Sequence, residues 1–365
     1  MSKEFIKSRI RKTGTYRVVE IELEKSKNQI QILLNDKEKL IQQKNQLQKD
    51  KQKLNQQRNQ LQKDKQKLIQ QKKIIQNRIL NSKMVLQNLK NENKSIKEIL
   101  IDENYFKKDA DFSKFTIIIP YREVGDQDRV DSLDINLNYL GNIGIENVII
   151  SEYSDSSSEN FLNDNYHDLF KNFMVIWNDA GGELFNKSLA INKGVMASKT
   201  PYIAIFDMDC LTKKENIYMA LNLLDKGFDV VHPFDRKVQD IVDKQAFIER
   251  YDFKTLKTEV QDRIRADGGI VFWNKVSFIK IGMKNEYFIG WGGEDNEIMY
   301  RANLFNLKHF RINDILYHLY HERPQNRSDR NFKLEVKSAS LKSKDECLEE
   351  INKWPWVFEA KKLVE

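Results

Sequence analysis

The chain has 365 residues, 40% of them hydrophobic and 20 of them Phe, enough to bury one large core or two modest ones, which excludes a wholly disordered protein. Only 5 Pro and 14 Gly occur, all of the Gly but Gly14 at Gly125 or later, and the two cysteines Cys210 and Cys347 are too few for a disulfide framework. The net charge of +7 hides a split: residues 1–100 hold 25 Lys+Arg against 10 Asp+Glu, leaving 36 against 44 for residues 101–365, so the basicity belongs to the front segment. The acidic excess of the rest argues against nucleic acid as its partner, because phosphate binding needs positive charge on the recognising surface.

Lys3, Lys7, Arg9, Arg11 and Lys12 open a basic lead over 1–29, but no apolar stretch follows them, and nowhere do about 18 uncharged apolar residues run together. Neither a signal peptide nor a membrane span is expected, and a cytoplasmic location follows as an expectation, with peripheral membrane contact left open. Between Thr15 and Ile119 there is no Gly or Pro, and a 14-residue unit recurs in tandem, QKNQLQKDKQKLNQ at 43–56 and QRNQLQKDKQKLIQ at 57–70. Leu33, Leu40, Leu47, Leu54, Leu61, Leu68, Ile75, Leu89 and Ile96 share one heptad position, d, broken only by Ser82. The a positions are apolar at the ends and cationic in the middle, at Lys37, Lys44, Lys51, Arg58, Lys65 and Lys72. A coiled coil over 30–105 is expected, with Leu at d and polar a favouring a parallel homodimer and a rod on the order of 100 Å. A solvated single helix is the competing reading, and binding of anionic surfaces by the cations is a weaker one.

From Phe112 the pattern changes. FTIIIP (115–120), NVIIS (147–151), FMVIW (173–177), YIAIF (202–206) and DVVHP (229–233) read as buried strands, separated by helical spacing over 131–143, 185–198 and 213–226. The alternation predicts an α/β domain with an open, mostly parallel, Rossmann-like sheet over 112–325, followed by a helical tail over 326–365. Ligands of such sheets sit beyond the strand C-termini, here the loops starting at Pro120, Ser151, Asn178 and Asp207.

Asp207-Met208-Asp209 follows the apolar strand YIAIF, and two carboxylates one residue apart at a buried strand end suit a hard divalent cation that also holds a diphosphate. His318 and His321 are three residues apart, a spacing that on a helical turn shares one face and could complete a metal shell begun by Asp209. A structural pair stacked with Tyr317 and Tyr320 is the alternative. His167, His232 and His309 have no comparable partners in sequence and read as structural or surface residues. In GWGGED (290–295), the glycines around Trp291 let backbone approach a ligand, and Glu294-Asp295 would open a helix whose N-terminus favours their ionised forms. A carboxylate kept charged there is a plausible general base, or merely a helix cap.

GWGGED resembles the signature of the inverting β-1,4-galactosyltransferases and of the related bacterial chondroitin-polymerase and polypeptide N-acetylgalactosaminyltransferase enzymes, which share the GT-A fold. IIIPYRE (117–123), NDAGGELFNKSLAINKG (178–194), FDMDC (206–210), GGIVFW (268–273) and His318-x-x-His321 follow that group's motifs in order, over roughly 112–325. The resemblance implies a UDP-sugar donor, a glycan acceptor, and Mn²⁺, with Mg²⁺ possible. It implies that Pro120, Tyr121, Arg122, Phe185, Lys187, Asp207, Met208, Ala266 and Gly269 line the nucleotide-sugar pocket and that Asp209, His318 and His321 ligate the metal. Trp291 and Gly292 would meet the acceptor, Glu294 would hold sugar hydroxyls, and Asp295 would be the base. His318 replaces a Met of the galactosyltransferases, and Asn296 follows Asp295 where they carry an acid, so donor and acceptor stay open. Ala266, two residues before the Gly-Gly pair, leaves room for a 2-N-acetyl group. The expected function is single-displacement sugar transfer, with a non-catalytic sugar-nucleotide or glycan-binding module as the alternative.

Overall fold

The computed structural model describes residues 14–91, 110–123, 125–254, 256–260, 267–321 and 328–363. The chain divides into two units, Met1–Lys72 and Lys73–Glu365. Helix α1, Gly14–Asn91, bears out the unbroken helical reading and begins inside the lead expected over 1–29; residues 92–105 of the expected coil lie outside the described residues. Its d-series leucines Leu33, Leu40, Leu47, Leu54, Leu61 and Leu68 stand 65–69% exposed, an apolar stripe on a helix that also exposes Val18, Ile21, Ile32, Leu34 and Ile41. Among the described residues no helix is long and apolar enough to cross a membrane.

The second unit is α/β. Its elements in chain order are β1 (Phe115–Tyr121), α2 (Gln127–Asn142), β2 (Asn147–Ser154), α3 (Glu159–Tyr166), β3 (Asn172–Asp179), α4 (Lys187–Ala197), β4 (Tyr202–Phe206), β5 (Cys210–Leu211), α5 (Lys214–Asp225), β6 (Val230–His232), β7 (Lys237–Ile241) and α6 (Lys244–Ile248). There follow β8 (Thr258–Val260), β9 (Ile270–Asn274), α7 (Lys275–Lys280), α8 (Glu294–Leu304), β10 (His309–Arg311), β11 (Ile315–Leu319), α9 (Asp329–Ala339), α10 (Lys344–Ile351) and α11 (Pro355–Lys361). All five strands expected from apolar runs are present, and four are buried, their β-branched residues covered on both faces of the sheet; β3 is instead an edge strand with Met174 and Trp177 exposed, so its apolar run is not buried.

The main sheet has seven strands in the order β10-β6-β9-β4-β1-β2-β3, parallel except for β9, which runs antiparallel to β4 and β6. That reversal sets Ile270, at the start of β9, opposite Phe206, at the end of β4. The Gly268-Gly269 pair and Asp207 therefore emerge at one sheet edge, joined by a hydrogen bond from the Asp207 N–H to the Gly269 carbonyl at 2.7 Å. A second sheet, β5-β11-β7-β8, pairs His318 of β11 with Cys210 of β5 on one side and with Asp240 of β7 on the other.

The hydrophobic core lies on both sheet faces, with Phe115, Phe206, Phe272 and Phe234 on one and Ile118, Ile205, Trp273 and Phe278 on the other. The tail packs on the latter. Trp354 and Trp356 are 3% and 7% exposed with rings 5.1 Å apart, and the Arg301 guanidinium lies 5.0 Å from the Trp354 ring. The C-terminal aromatic pair is thus core of the domain.

Candidate active site

At the C-terminal end of β4 the chain turns through Asp207, Met208 and Asp209 into β5. The Asn136 amide, fully buried on α2, holds this turn by donating to the carbonyls of Met208 at 3.1 Å and Cys210 at 2.8 Å. The Met208 side chain turns into the core, so at this position only backbone faces the loop's polar side. Asp209 meets the two histidines: its Oδ2 is 2.7 Å from His321 Nε2 and 3.6 Å from His318 Nε2. Their ligand atoms lie within 4.8 Å of one another, a carboxylate and two imidazoles fit to hold a divalent ion.

The histidine pair does not lie on a helical turn. His318 is inside strand β11 and His321 follows the strand's end, so they converge because the chain bends there and not because of an i, i+3 helical face. The strand placement exposes a partner sequence reading missed. Asp240 sits beside His318 in the parallel register, with Oδ1 2.6 Å from His318 Nδ1. A carboxylate accepting from Nδ1–H leaves Nε2 with its lone pair toward the ion site, the arrangement that orients metal-binding histidines. Without an ion, burial alone would raise the Asp209 carboxyl, but His318 and His321, when their Nε2 atoms carry protons, outweigh it and hold the group well below the ordinary carboxylate range, a place a divalent ion would take over from those protons.

The other half of the site is set at the N-termini of α4 and α8. Asn186 caps α4, its side chain accepting from the Leu189 N–H, and Lys187 follows as the first helical residue. Lys187 Nζ is 2.7 Å from Asp207 Oδ1, 3.7 Å from Asp295 Oδ2 and 3.8 Å from Glu294 Oε1, one partly buried cation joining the Asp207-Met208-Asp209 turn to the GWGGED motif. Gly293, with φ 104°, supplies the left-handed turn that starts α8, so Glu294 and Asp295 enter its first turn. Glu294 is buried, and one of its carboxylate oxygens, Oε2, has no hydrogen-bond partner, the state expected of a group shaped to receive a hydroxyl.

Asp295 is held ionised. Burial would raise its carboxyl, but the charges of Lys187 and Lys284 together outweigh that and keep it well below the ordinary range. Burial pushes Glu294 the other way, reinforced by the Asp295 charge, so its carboxyl is raised. Two neighbouring carboxylates thus have opposite tendencies, one a charged acceptor of protons and the other easily protonated, which suits separate roles.

The remaining residues expected at the site divide. Pro120 is the next-to-last residue of β1, beside Ser151 of β2, and Arg122 follows the strand, donating to the Glu183 carbonyl at 2.7 Å. Tyr121 is buried in the core with its hydroxyl on Glu123. The Phe185 carbonyl accepts from the Gly290 N–H at 2.9 Å, tying the α4 lead to the glycine loop. Trp291 is half exposed, an open aromatic face beside Gly292, and Asn331 of the tail donates to the Trp291 carbonyl. Ala266 lies outside the described residues. Elsewhere in the domain, His232 and His309 prove to be partners, with Nδ1 and Nε2 2.8 Å apart behind Asp267.

Residues 251–322 match a family model described as the N-terminal domain of galactosyltransferase, a stretch that holds Gly269, GWGGED, His318 and His321. The α/β domain has the open, mostly parallel sheet expected from the alternation of strands and helices. Solved structures similar to this chain include the catalytic domain of Drosophila β1,4-galactosyltransferase 7 in complex with xylobiose, at 16% identity and a TM-score of 0.41 over 63% of this chain and 82% of that one. A mutant of the same Drosophila protein in complex with manganese, UDP-Gal and xylobiose gives the same figures. S. aureus TarS is similar at 14% identity and a TM-score of 0.41, over 56% of this chain and 60% of that one. Among curated proteins none matches this chain.

Proposed function

We propose that the enzyme transfers a sugar of the Gal, GalNAc or GlcNAc type from a UDP-sugar to a hydroxyl of a glycan acceptor by a single, inverting, metal-dependent displacement. The observation that carries this is Lys187, whose ammonium contacts Asp207 and lies within 3.8 Å of Glu294 and Asp295, so that metal motif, diphosphate neutraliser and base share one pocket.

Breaking the bond between an anomeric carbon and a diphosphate leaves negative charge on the leaving oxygen and oxocarbenium character on the sugar. A divalent ion held by Asp209, His318 and His321 would offset the first, and Mn²⁺ suits one oxygen and two nitrogen donors. Lys187 adds a fixed positive charge on the nucleotide side. The attacking hydroxyl must lose its proton as its oxygen bonds to the anomeric carbon, and Asp295, ionised and at the head of α8, takes that proton. The buried, more easily protonated Glu294 orients a sugar hydroxyl through its unpartnered oxygen. The half-exposed Trp291 offers a ring face for an acceptor sugar. No second nucleophilic carboxylate is needed, and one displacement inverts the anomeric centre.

The leucine stripe of α1 supports a parallel homodimer through that helix, since six leucines left 65–69% exposed are an apolar seam for a second copy.

The test is UDP release from UDP-Gal, UDP-GalNAc and UDP-GlcNAc with and without Mn²⁺, comparing wild type with Asp209→Ala and Asp295→Asn. The expected result is metal-dependent turnover of one donor, abolished in both variants, with UDP binding kept by Asp295→Asn. UDP binding without turnover in the wild type would favour a non-catalytic module, and absence of UDP binding would overturn the proposal. Ala266→Tyr is expected to lower the preference for UDP-GalNAc over UDP-Gal; an unchanged preference would remove Ala266 from the donor pocket.

A further inference from the structure

Lys284 is 3% exposed, and no sequence motif singled it out. Its Nζ lies 2.5 Å from Asp295 Oδ1. A lysine this deeply buried is costly unless paired, so its placement needs a rigid support. That support comes from two helices. Asn192 of α4, itself fully buried, accepts from the Lys284 N–H at 3.0 Å and donates to the Lys284 carbonyl at 2.9 Å. Arg301 of α8 donates to the carbonyls of Met283 and Ile281 just before it.

The two carboxylate oxygens of Asp295 therefore differ. Oδ1 is taken by Lys284. Oδ2 faces Lys187 at the longer distance of 3.7 Å and the bare Gly268, where a Cβ would come within 1.9 Å of it. The charged groups around Asp295 are Lys187 from α4, Asp207 from the turn after β4, Glu294 from α8 and Lys284 from the segment before α8. Lys187 is already engaged by Asp207, which leaves Lys284 as the cation dedicated to the base.

We propose that Lys284 is a positioning residue for the transfer: it anchors Asp295 by Oδ1, fixing the carboxylate so that Oδ2 is the oxygen that receives the acceptor's proton. In that step the acceptor O–H bond breaks and its proton passes to Oδ2. The acceptor oxygen bonds to the anomeric carbon, and the bond from that carbon to the diphosphate breaks with its electron pair leaving on the phosphate. Lys284 keeps its own proton throughout. The inference rests on the role of Asp295 proposed above.

Full-length wild type, Lys284→Met and Lys284→Gln would be compared with Mn²⁺ and the UDP-sugar that the wild type turns over best, water serving as acceptor, across pH 4–8. The expected result is a kcat lowered about 10²-fold in both variants with KM for the donor and UDP affinity little changed, the scale of loss for a misplaced reacting group. The acidic limb of kcat/KM should move up in pH, because Asp295 loses the nearer of its two cations. A wild-type kcat and pH profile in either folded variant overturns the proposal, as does loss of UDP binding and melting temperature in step with activity, which marks a purely structural lysine. If the wild type itself releases no UDP from any donor, the parent reading fails, and that outcome differs from an active wild type with indifferent variants.

Discussion

Gly268→Ala places a methyl group against Asp295, the proposed base, and offers a sharp test of the site. Gly268 does not adopt a positive φ, so alanine meets no backbone penalty there; the obstacle is that its Cβ would lie 1.9 Å from Asp295 Oδ2 and 2.6 Å from Cγ. Ordinary contact begins near 3.4 Å, so methyl and carboxylate must part by roughly 1.5 Å. Asp295 is a short side chain pinned through Oδ1 by Lys284, and the Gly268 backbone leads directly into β9, so the carboxylate moves off its productive line in either case. Misplacement of a reacting group by about 1 Å costs on the order of 10²-fold, and overpacking costs about 1–3 kcal/mol, a loss a domain of this size tolerates. The assay is Mn²⁺-dependent UDP release alongside UDP binding and thermal unfolding. A kcat within about twofold of wild type would refute the placement of Asp295. Gly269→Ala is the contrast, because its Cβ meets Leu316 at 2.5 Å and its φ is 99°. That variant should lose chiefly melting temperature, about 1–2 kcal/mol from the left-handed backbone plus the clash.

Asp240→Asn should weaken Mn²⁺ binding about 10–100-fold, measured by calorimetry, since the amide no longer fixes His318 with Nε2 toward the ion; unchanged affinity would remove Asp240 from the metal site. Arg301→Met leaves Glu297, fully buried, without its partner, and should cost about 3–5 kcal/mol, or roughly 10 °C in melting temperature by calorimetry. A shift under 2 °C would show that the pair is not needed. Leu54→Asp with Leu61→Asp should convert a homodimer to monomer in light scattering of the full chain, whereas an unchanged mass would exclude the leucine stripe as the seam.

Much of the site was legible because its chemistry is local in sequence. GWGGED carries its turn glycines, its helix start and both carboxylates in six residues, and Asp207 and Asp209 follow a strand whose apolar run is unmistakable. His318 and His321 were legible as a pair but not in their geometry, because a stretch as short as the five residues ILYHL, with Tyr317 and His318 among them, reads equally as strand or helix until its neighbours are known. Asp240, Asn136 and Lys284 were not legible. Asp240 meets His318 across 78 residues only through the register of β7 with β11, and Asn136 reaches its carbonyls from a different layer. Lys284 looks like any loop lysine until the core closes over it.

The 14-residue unit of α1 spans two heptads, so gaining or losing a copy leaves every leucine on the same side of the helix. Each such event lengthens or shortens the helix by about 21 Å without altering its stripe. Insertion or loss of one unit is therefore an in-phase change: reach along the helix can vary while the apolar seam that a second copy would use keeps its side.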